Sequence, residues 1–221
     1  MNTYASHSPD RFPGALITVE GLDGAGKSSL IAGLIDRLRA DGYPLLLTKE
    51  PGGTLLGARL KKLLLEEERA CSASVEFLLF AADRTEHFEQ VILPALARGV
   101  VVVSDRMADS AVAYQGYGRG VDPQFIKDVN KVAMQGVEPD VTLYLKISPP
   151  SAIERYNLRH GGPQSTMERR GEDFWKKVAQ GYEDLAIAHP RIHTLDAELT
   201  PDVLVIKAYE IVSAFLLAKK L

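Results

Sequence analysis

The stretch Gly21 to Ser28 constrains the fold of this chain more than any other, because it reads Gly-Leu-Asp-Gly-Ala-Gly-Lys-Ser. It follows the apolar run Ala15 to Val19 and precedes Ser29 to Ala40, where apolar residues recur at helical spacing. A phosphate-binding loop needs a preceding strand, glycines that let backbone amides turn inward, and a helix N-terminus with partial positive charge. The pattern therefore predicts a strand-to-helix turn that binds nucleotide phosphates.

Residue types within this loop predict different tasks. Lys27 should reach the β- and γ-phosphates, and the hydroxyl of Ser28 should hold Mg²⁺. A glycine-rich turn without any ligand is the alternative interpretation, and the flanking strand and helix argue against it. The residues predicted to contact the nucleotide are Gly21, Leu22, Asp23, Gly24, Ala25, Gly26, Lys27, Ser28 and Ser29.

Composition excludes several classes of protein. The 221 residues carry 26 Lys+Arg against 29 Asp+Glu, so no bulk attraction to nucleic acid or to an anionic membrane is expected. The single cysteine, Cys71, excludes an internal disulfide framework and favours a reducing compartment. No run approaches the roughly 18 apolar residues of a membrane span, and residues 1–14 lack the apolar core of a secretory signal. We expect a cytoplasmic protein without nucleic-acid or membrane partners.

Further apolar runs at 45–48, 100–103, 141–147 and 191–195 alternate with segments of helical periodicity. This order predicts a three-layer α/β P-loop NTPase fold with about five parallel strands and helices on both faces. Residues 15–221 should form one domain, and residues 1–14 should form a flexible arm. Helices are predicted over 29–40, 55–67, 75–90 and 174–188, after Asp122-Pro123 and after Thr200-Pro201. A short turn is predicted at Pro94, and Val203 and Ile206 of the final helix are expected to face inward.

Charged residues follow two of the predicted strands at the edge where α/β sheets bind ligands. Asp105 and Arg106 end a buried strand, so Asp105 is predicted to support Mg²⁺ and Arg106 to reach phosphates. A turn aspartate that caps the next helix is the alternative for Asp105. Residues 110–120 are polar, aromatic and glycine-rich, which indicates a site rather than pure core.

Residues 151–170 carry an unusual density of arginine around Gly161-Gly162-Pro163. A solvated charged face is the default interpretation of such a segment. In a P-loop enzyme it can also be a mobile lid that brings an arginine to the phosphates.

The order of motifs resembles that of bacterial thymidylate kinases from about Ala15 to Ile211. The motifs are the P-loop, Lys-Glu-Pro-Gly-Gly-Thr, Leu-Phe-Ala-Ala-Asp-Arg, Asp-Arg, Ala-Tyr-Gln-Gly-Tyr-Gly-Arg-Gly and Pro-Asp-Val-Thr-Leu-Tyr-Leu. The resemblance implies ATP as phosphoryl donor, dTMP as acceptor, and a homodimer that assembles through helices flanking the acceptor site.

The resemblance also implies a pocket for the thymine base. Phe80 would stack on the base, and Arg84 would bond its carbonyl edge. Ser110 and Gln115 would complete the pocket, and Tyr114 would lie near the sugar 2′ position.

Other residues are implied to act on the phosphates. Glu50-Pro51 would form a rigid turn over the substrate with a cis peptide. Asp23 would face the acceptor nucleotide, Arg106 would hold its phosphate, and Asp105 would support Mg²⁺. Gly24 stands where some relatives carry an arginine, which suggests that the lid supplies this charge. The lid residues that could supply it are Arg159 and Arg155, with Arg169 and Arg170 as further candidates.

The chain departs from the family pattern at Lys49, Lys61 and Met107 and in the lid segment 165–168. Two alternatives to dTMP phosphorylation therefore stay open at this point. The chain could phosphorylate another pyrimidine or deoxynucleoside monophosphate, because a single methyl group in an apolar pocket contributes only about 1–3 kcal/mol to selectivity. It could also be a P-loop nucleotide sensor that binds without transferring.

Overall fold

The computed structural model of the chain describes residues 12–65, 71–160 and 171–221. Within these residues five strands form one sheet in the order β2-β3-β1-β4-β5, and every neighbouring pair is parallel. The prediction of about five parallel strands is confirmed. The strands are β1 (Ala15–Gly21), β2 (Leu45–Lys49), β3 (Val101–Asp105), β4 (Val141–Lys146) and β5 (Ile192–Asp196).

Helices connect the strands and cover both faces of the sheet. Successive strand residues point to opposite faces, so Ile17 and Val103 pack with α1 and α9, whereas Leu16 and Val102 pack with Phe88 on the other side. The helices are α1 (Lys27–Ala40), α2 (Leu55–Leu65), α3 (Ala73–His87), α4 (Leu93–Ala97), α5 (Ala108–Ala111), α6 (Pro123–Ala133), α7 (Pro149–His160), α8 (Glu172–Ala188) and α9 (Pro201–Lys219).

One helical segment differs from the sequence prediction, and a second lies where the sequence left the secondary structure open. The chain does not turn at Pro94, because a π-helical segment at Phe88–Ile92 leads directly into α4, whose first turn tolerates a residue without an N–H. The stretch after Arg106 is helical through α5 and a π-helical segment, Val112–Gly118. Its glycines serve packing, since a Cβ on Gly118 would lie 2.5 Å from the Phe174 ring.

Two smaller expectations about helices were wrong. Helix α1 begins at Lys27 instead of Ser29, so the phosphate-loop lysine already belongs to the first helical turn. On α9 the buried residues recur every four positions, from Leu204 to Leu216. Val203 and Ile206 lie off this row and are 39% and 41% exposed. No helix within the described residues is long and apolar enough to cross a membrane.

Strand register brings the predicted site residues to one edge of the sheet. Val19 of β1 and Lys49 of β2 both pair with Asp105 of β3, so the segments that follow these strands meet at their carboxyl ends. Several predictions lie outside the described residues: most of the N-terminal arm (1–11), the end of the second helix (66–67), and the lid segment 161–170 with Arg169 and Arg170.

Candidate active site

The phosphate loop has the backbone geometry that its glycines predict. Gly21, Gly24 and Gly26 have φ values of 140°, 89° and 96°, which side-chain-bearing residues rarely adopt. Leu22 and Ala25 are buried, so their side chains are not available to a ligand. The ATP-contact prediction for the loop stays a prediction.

Lys27 is folded onto its own loop. Its Nζ donates to the backbone oxygens of Gly21 at 3.2 Å and Leu22 at 2.9 Å, and it lies 3.7 Å from Oδ1 of Asp23. Burial and the nearby Arg106 charge lower the pKa of Lys27 to about 8. An anion placed in the loop would stabilise its charged form.

Two adjoining cavities open at this edge of the sheet. The phosphate cavity is lined by Lys27 and Ser28, and the aromatic cavity is lined by Phe80 and Tyr114. The side chains that line both cavities are Asp23, Glu50, Pro51, Lys61 and Arg106. Gly21, Leu22, Ala25 and Ser29 line neither cavity.

Arg106 lies where the two cavities meet. Its Nη2 donates to Oδ1 of Asp23 at 2.5 Å and to the hydroxyl of Tyr114 at 3.3 Å. Its guanidinium carbon lies 5.1 Å from the centre of the Tyr114 ring, within cation–π range. Burial alone would raise the pKa of Asp23, but the charges of Arg106 and Lys27 outweigh it and lower this pKa to about 2.

A buried carboxylate, Glu20, lies behind Arg106. Its Oε1 accepts from the backbone N–H of Met107 at 2.8 Å, and its Oε2 accepts from the hydroxyls of Ser110 and Tyr182 at 2.5 and 2.9 Å. Burial and the charge of Asp109 raise the pKa of Glu20 to about 7, although Arg106 acts against this shift.

The aromatic cavity brings together the residues expected to bind a base. Phe80, Arg84, Ser110, Tyr114 and Gln115 all line it. Arg84 is held on two sides, because Nη1 donates to Asn130 at 2.7 Å and Nε lies 2.9 Å from a Glu50 oxygen. Gln115 donates its amide N–H to Glu76 at 2.8 Å, which leaves the amide oxygen available to accept. The Ser110 hydroxyl is committed to Glu20, so Ser110 contributes a wall of the cavity and supports Arg106.

The turn after β2 closes over both cavities. The peptide bond between Glu50 and Pro51 is cis, as the resemblance implied. Glu50 is buried between Arg84 and His87, whose Nδ1 lies 3.0 Å from Oε1 of Glu50. Asp83 accepts from the backbone N–H of Gly52 at 3.0 Å, and burial raises its pKa.

The predicted Mg²⁺ residues fit a hard cation. Ser28 is exposed and lines the phosphate cavity together with Asp105. Oδ1 of Asp105 is buried and has no hydrogen-bond partner among the described residues. A buried carboxylate oxygen without a donor is a suitable acceptor for a metal-bound water or for the ion itself. Nothing here supports the alternative that Asp105 caps the next helix, because α5 has no side-chain cap within the described residues.

Structure separates the two lid candidates that the sequence left open. Arg155 donates to the backbone oxygen of Ala197 at 2.8 Å and pairs with Glu198 at 2.9 Å. Arg159 is exposed, lines the phosphate cavity, and makes no hydrogen bond or ion pair with any other residue in the described part of the chain. Arg159 is therefore the stronger candidate of the two.

The structure also explains why position 24 is a glycine. A Cβ at this position would lie 2.1 Å from the backbone oxygen of Ala152 in α7. The loop therefore cannot carry an arginine here unless α7 moves, and this agrees with a lid that supplies the charge.

Sequence analysis missed several residues of this site, among them Glu20, Asn130 and Tyr182. Glu20 had a detectable signal, because it is a charged residue directly after an apolar run that was predicted to be a buried strand. Tyr182 lies 162 positions away from Glu20, and nothing local in α8 marks it.

Comparisons with known proteins agree with this geometry. A family model described as thymidylate kinase matches residues 19–207. The chain is 43% identical over 197 residues to the thymidylate kinase of Synechococcus sp. (strain JA-2-3B'a(2-13)), which covers 89% of this chain and 93% of the relative. It is 43% identical over 188 residues to the thymidylate kinase of Halothermothrix orenii, covering 84% and 89%. Its fold is similar to the crystal structure of thymidylate kinase from Ehrlichia chaffeensis, with a TM-score of 0.73, 30% identity, and coverage of 91% of this chain and 100% of that chain.

Proposed function

Since the chain belongs to the thymidylate kinase family, we propose that its two adjoining cavities hold the two nucleotides of a single phosphoryl transfer. The reaction is the phosphorylation of dTMP to dTDP. One observation carries the assignment of the cavities: Asp23, Glu50, Pro51, Lys61 and Arg106 line both of them. Two nucleotides bound there would meet at Arg106.

The aromatic cavity is the proposed dTMP site. Phe80 offers a ring face to the base, and Arg84 is fixed by Asn130 and Glu50 so that its remaining donors can reach a carbonyl oxygen. Because Gln115 donates to Glu76, its amide oxygen can accept from the base N–H. Tyr114 lines the same cavity and would lie near the sugar 2′ position, where its bulk would disfavour a ribose 2′-hydroxyl.

The phosphate cavity is the proposed ATP site, and Ser28 and Asp105 are the residues that would hold Mg²⁺. When bound, the ion supplies positive charge to the phosphate oxygens. On binding ATP, Lys27 would exchange its two backbone oxygens for phosphate oxygens. This exchange replaces neutral acceptors by charged ones, which make stronger hydrogen bonds.

The chemical step needs alignment and charge, because the acceptor phosphate is already a nucleophile and requires no general base. Arg106 would hold the acceptor phosphate, with Asp23 keeping its guanidinium in place at 2.5 Å. Arg159 would add positive charge as the phosphoryl group transfers, and an arginine in this position contributes about 10³ to 10⁵ in rate.

Residues 15–221 would act as one kinase domain whose lid lies around 151–170, with residues 1–14 as an arm. The proposed compartment of the protein is the cytoplasm.

A homodimer is proposed from an apolar face on three adjacent helices. Helices α2, α3 and α6 pack side by side and expose large apolar residues, which on a monomer would stay in water. These residues are Leu55, Leu56, Val75, Leu78, Phe125 and Val132.

A coupled ADP-release assay across nucleoside monophosphates tests the assignment. We expect dTMP to give the highest kcat/KM, with dUMP lower by about 5- to 150-fold because the base methyl group contributes about 1–3 kcal/mol. A preference for any other monophosphate would contradict the proposed base site. The absence of ADP release with ATP and dTMP would contradict the proposed donor, and ADP release that persists after Mg²⁺ is removed would contradict the proposed metal.

A further inference from the structure

Glu20 is a buried charged residue next to the site, and the proposed function assigns no role to it. It is fully buried at the end of β1, and it accepts three hydrogen bonds from the residues around Arg106. Keeping a carboxylate in such a place costs free energy of folding, since burial disfavours its charged form. The contacts of Glu20 should therefore stabilise something that offsets this cost.

The first reason is the backbone of Arg106. Its φ is 70°, a left-handed conformation that is unfavourable for a residue with a Cβ. The surroundings must therefore hold it. The N–H of Arg106 donates to the backbone oxygen of Val19 at 3.0 Å, and the next N–H, of Met107, donates to Oε1 of Glu20 at 2.8 Å. Both amides that flank the Arg106 Cα are tied to consecutive residues of β1.

The second reason is the side chain of Arg106. Its Nη1 donates to the hydroxyl oxygens of Ser110 at 3.1 Å and Tyr182 at 3.3 Å. Both hydroxyls direct their protons to Oε2 of Glu20, so their lone pairs are left for the guanidinium. One carboxylate thus orients the two acceptors that Arg106 uses on the side away from Asp23.

We propose that Glu20 is a positioning residue, which fixes both the left-handed backbone and the guanidinium of Arg106 for the acceptor phosphate. This rests on the proposed assignment of Arg106 to the phosphate of dTMP. Glu20 lines neither cavity and acts only through Met107, Ser110 and Tyr182.

A purely electrostatic role for Glu20 makes the opposite prediction. If its negative charge did no more than weaken the pull of Arg106 on anions, then the isosteric and neutral Glu20→Gln variant would bind dTMP more tightly. If Glu20 positions Arg106, the same variant binds dTMP more weakly, because a glutamine cannot accept from both hydroxyls and Met107 at once. The sign of the change in KM separates the two.

The test is steady-state kinetics of the full chain at about pH 8.5, above the pKa of about 7 of Glu20 so that its carboxylate is charged, with dTMP and ATP varied in turn. For Glu20→Gln we expect the KM for dTMP to rise at least tenfold, while the KM for ATP stays within about twofold. Tyr182→Phe removes one of the two hydroxyls and should raise the KM for dTMP by a smaller factor. If Glu20→Gln does not fold, Glu20→Asp takes its place, because its shorter side chain keeps the charge but cannot reach all three donors, and the KM for dTMP should again rise at least tenfold.

Asp140→Asn is the matched control. Asp140 is a partly buried carboxylate, with its side chain 10% exposed, that also accepts from a backbone N–H, that of Leu16 at 2.8 Å, but it lies at the opposite edge of the sheet. Its variant should lose stability and keep the KM for dTMP. A KM for dTMP that is unchanged or lower in Glu20→Gln, or unchanged in Glu20→Asp when Glu20→Gln is unfolded, overturns the proposal.

Arg106→Ala distinguishes an error in the positioning role of Glu20 from an error in the assignment of Arg106 to the acceptor phosphate. If it raises the KM for dTMP while the Glu20 and Tyr182 variants do not, the positioning role is wrong and the proposed function stands. If Arg106→Ala itself leaves that KM unchanged, the assignment of Arg106 is wrong, and the role of Glu20 is wrong with it.

Discussion

Nη2 of Arg106 lies 2.5 Å from Oδ1 of Asp23, so the residue that follows β3 is joined to the phosphate loop that follows β1. The parallel pairing of Val19 with Asp105 places these two segments side by side. Asp23 also lies 3.7 Å from Lys27, and it therefore separates two cations that would otherwise repel each other. Both cavities of the site adjoin this pair.

Replacing Asp23 by asparagine should reduce stability and make it depend on added anions. The variant leaves Lys27 and Arg106 facing each other without a carboxylate, and since Asp23 is one-third exposed (33%) we expect a loss of only about 1–2 kcal/mol. Inorganic phosphate should restore more stability to the variant than to the wild type, because it replaces the missing charge. Urea unfolding at pH 7 with and without phosphate measures both effects.

The lowered pKa of Asp23 sets the pH range of this experiment. A carboxyl group whose folded pKa is about 2 contributes stability above its usual value of 3.8 and loses it as the pH falls toward 2. The difference between the two proteins should therefore be constant around pH 5, which lies above the titration of Asp23 and below that of Lys27. Asp36→Asn, at an exposed pair with Arg39, is the control and should change stability by less than about 0.5 kcal/mol. Equal losses in the two variants would show that the Asp23 pair has no special role.

Glu20 should make the stability of the wild type fall between pH 5 and pH 8. Its folded pKa is raised from 4.5 to about 7, so in this range the folded chain holds a proton that the unfolded chain has released. The groups that face it are Arg106 and Asp109, with the hydroxyls of Ser110 and Tyr182. Glu20→Gln lacks this titration, and its stability relative to wild type should rise with pH by an amount on the order of 1–3 kcal/mol.

Urea unfolding of both proteins at unit pH steps from 5 to 8 gives this difference directly. The hydrogen bonds that Glu20→Gln loses shift its curve by a constant, so only the slope of the difference matters. Parallel curves would mean that the carboxyl of Glu20 titrates normally in the folded chain.

Arg159→Ala should lower kcat at least tenfold with little change in the KM for dTMP, because its charge matters mainly in the transition state. Arg155→Ala is the matched variant from the same helix. Its guanidinium is already engaged by Glu198 and Ala197, so it should cost less than about 1 kcal/mol of stability and have a smaller effect on kcat. Steady-state kinetics of the two variants decides between them. An unchanged kcat in Arg159→Ala would move the role to Arg155, Arg169 or Arg170.

Leu78→Glu should convert the proposed dimer into a monomer. Leu78 belongs to the exposed apolar face of α2, α3 and α6, and a buried unpaired carboxylate in an interface is strongly unfavourable. Ile187→Glu, at an apolar residue that is 85% exposed on α8, is the control and should leave the mass unchanged. Sedimentation at micromolar concentration gives the masses. A wild-type chain that sediments as a monomer would contradict the proposed dimer.

Sequence reasoning succeeded where a feature is local. The phosphate loop, the β1 strand before it and the Asp122 cap of α6 each depend on neighbouring residues, and the structure has all three. It failed where distant segments decide the conformation. Val203 and Ile206 were predicted to face inward, but the packing of α9 leaves both partly exposed.

The same distinction applies to the site. Motif residues such as Lys27 and Arg106 were found because their types and spacing are characteristic. The residues that hold the site arginines were missed, because Tyr182 reaches Arg106 only when α8 packs on the sheet, and Asn130 reaches Arg84 only when α6 packs on α3. Strand register, which local patterns do not specify, decides which carboxylate lies behind which arginine.

The central claim is that both nucleotides are bound at once and that the phosphoryl group passes directly between them at Arg106. Initial rates measured over a grid of ATP and dTMP concentrations test this most directly. Direct transfer within a ternary complex predicts double-reciprocal lines that intersect. Parallel lines, together with a phosphorylated enzyme isolated after incubation with ATP alone, would contradict it.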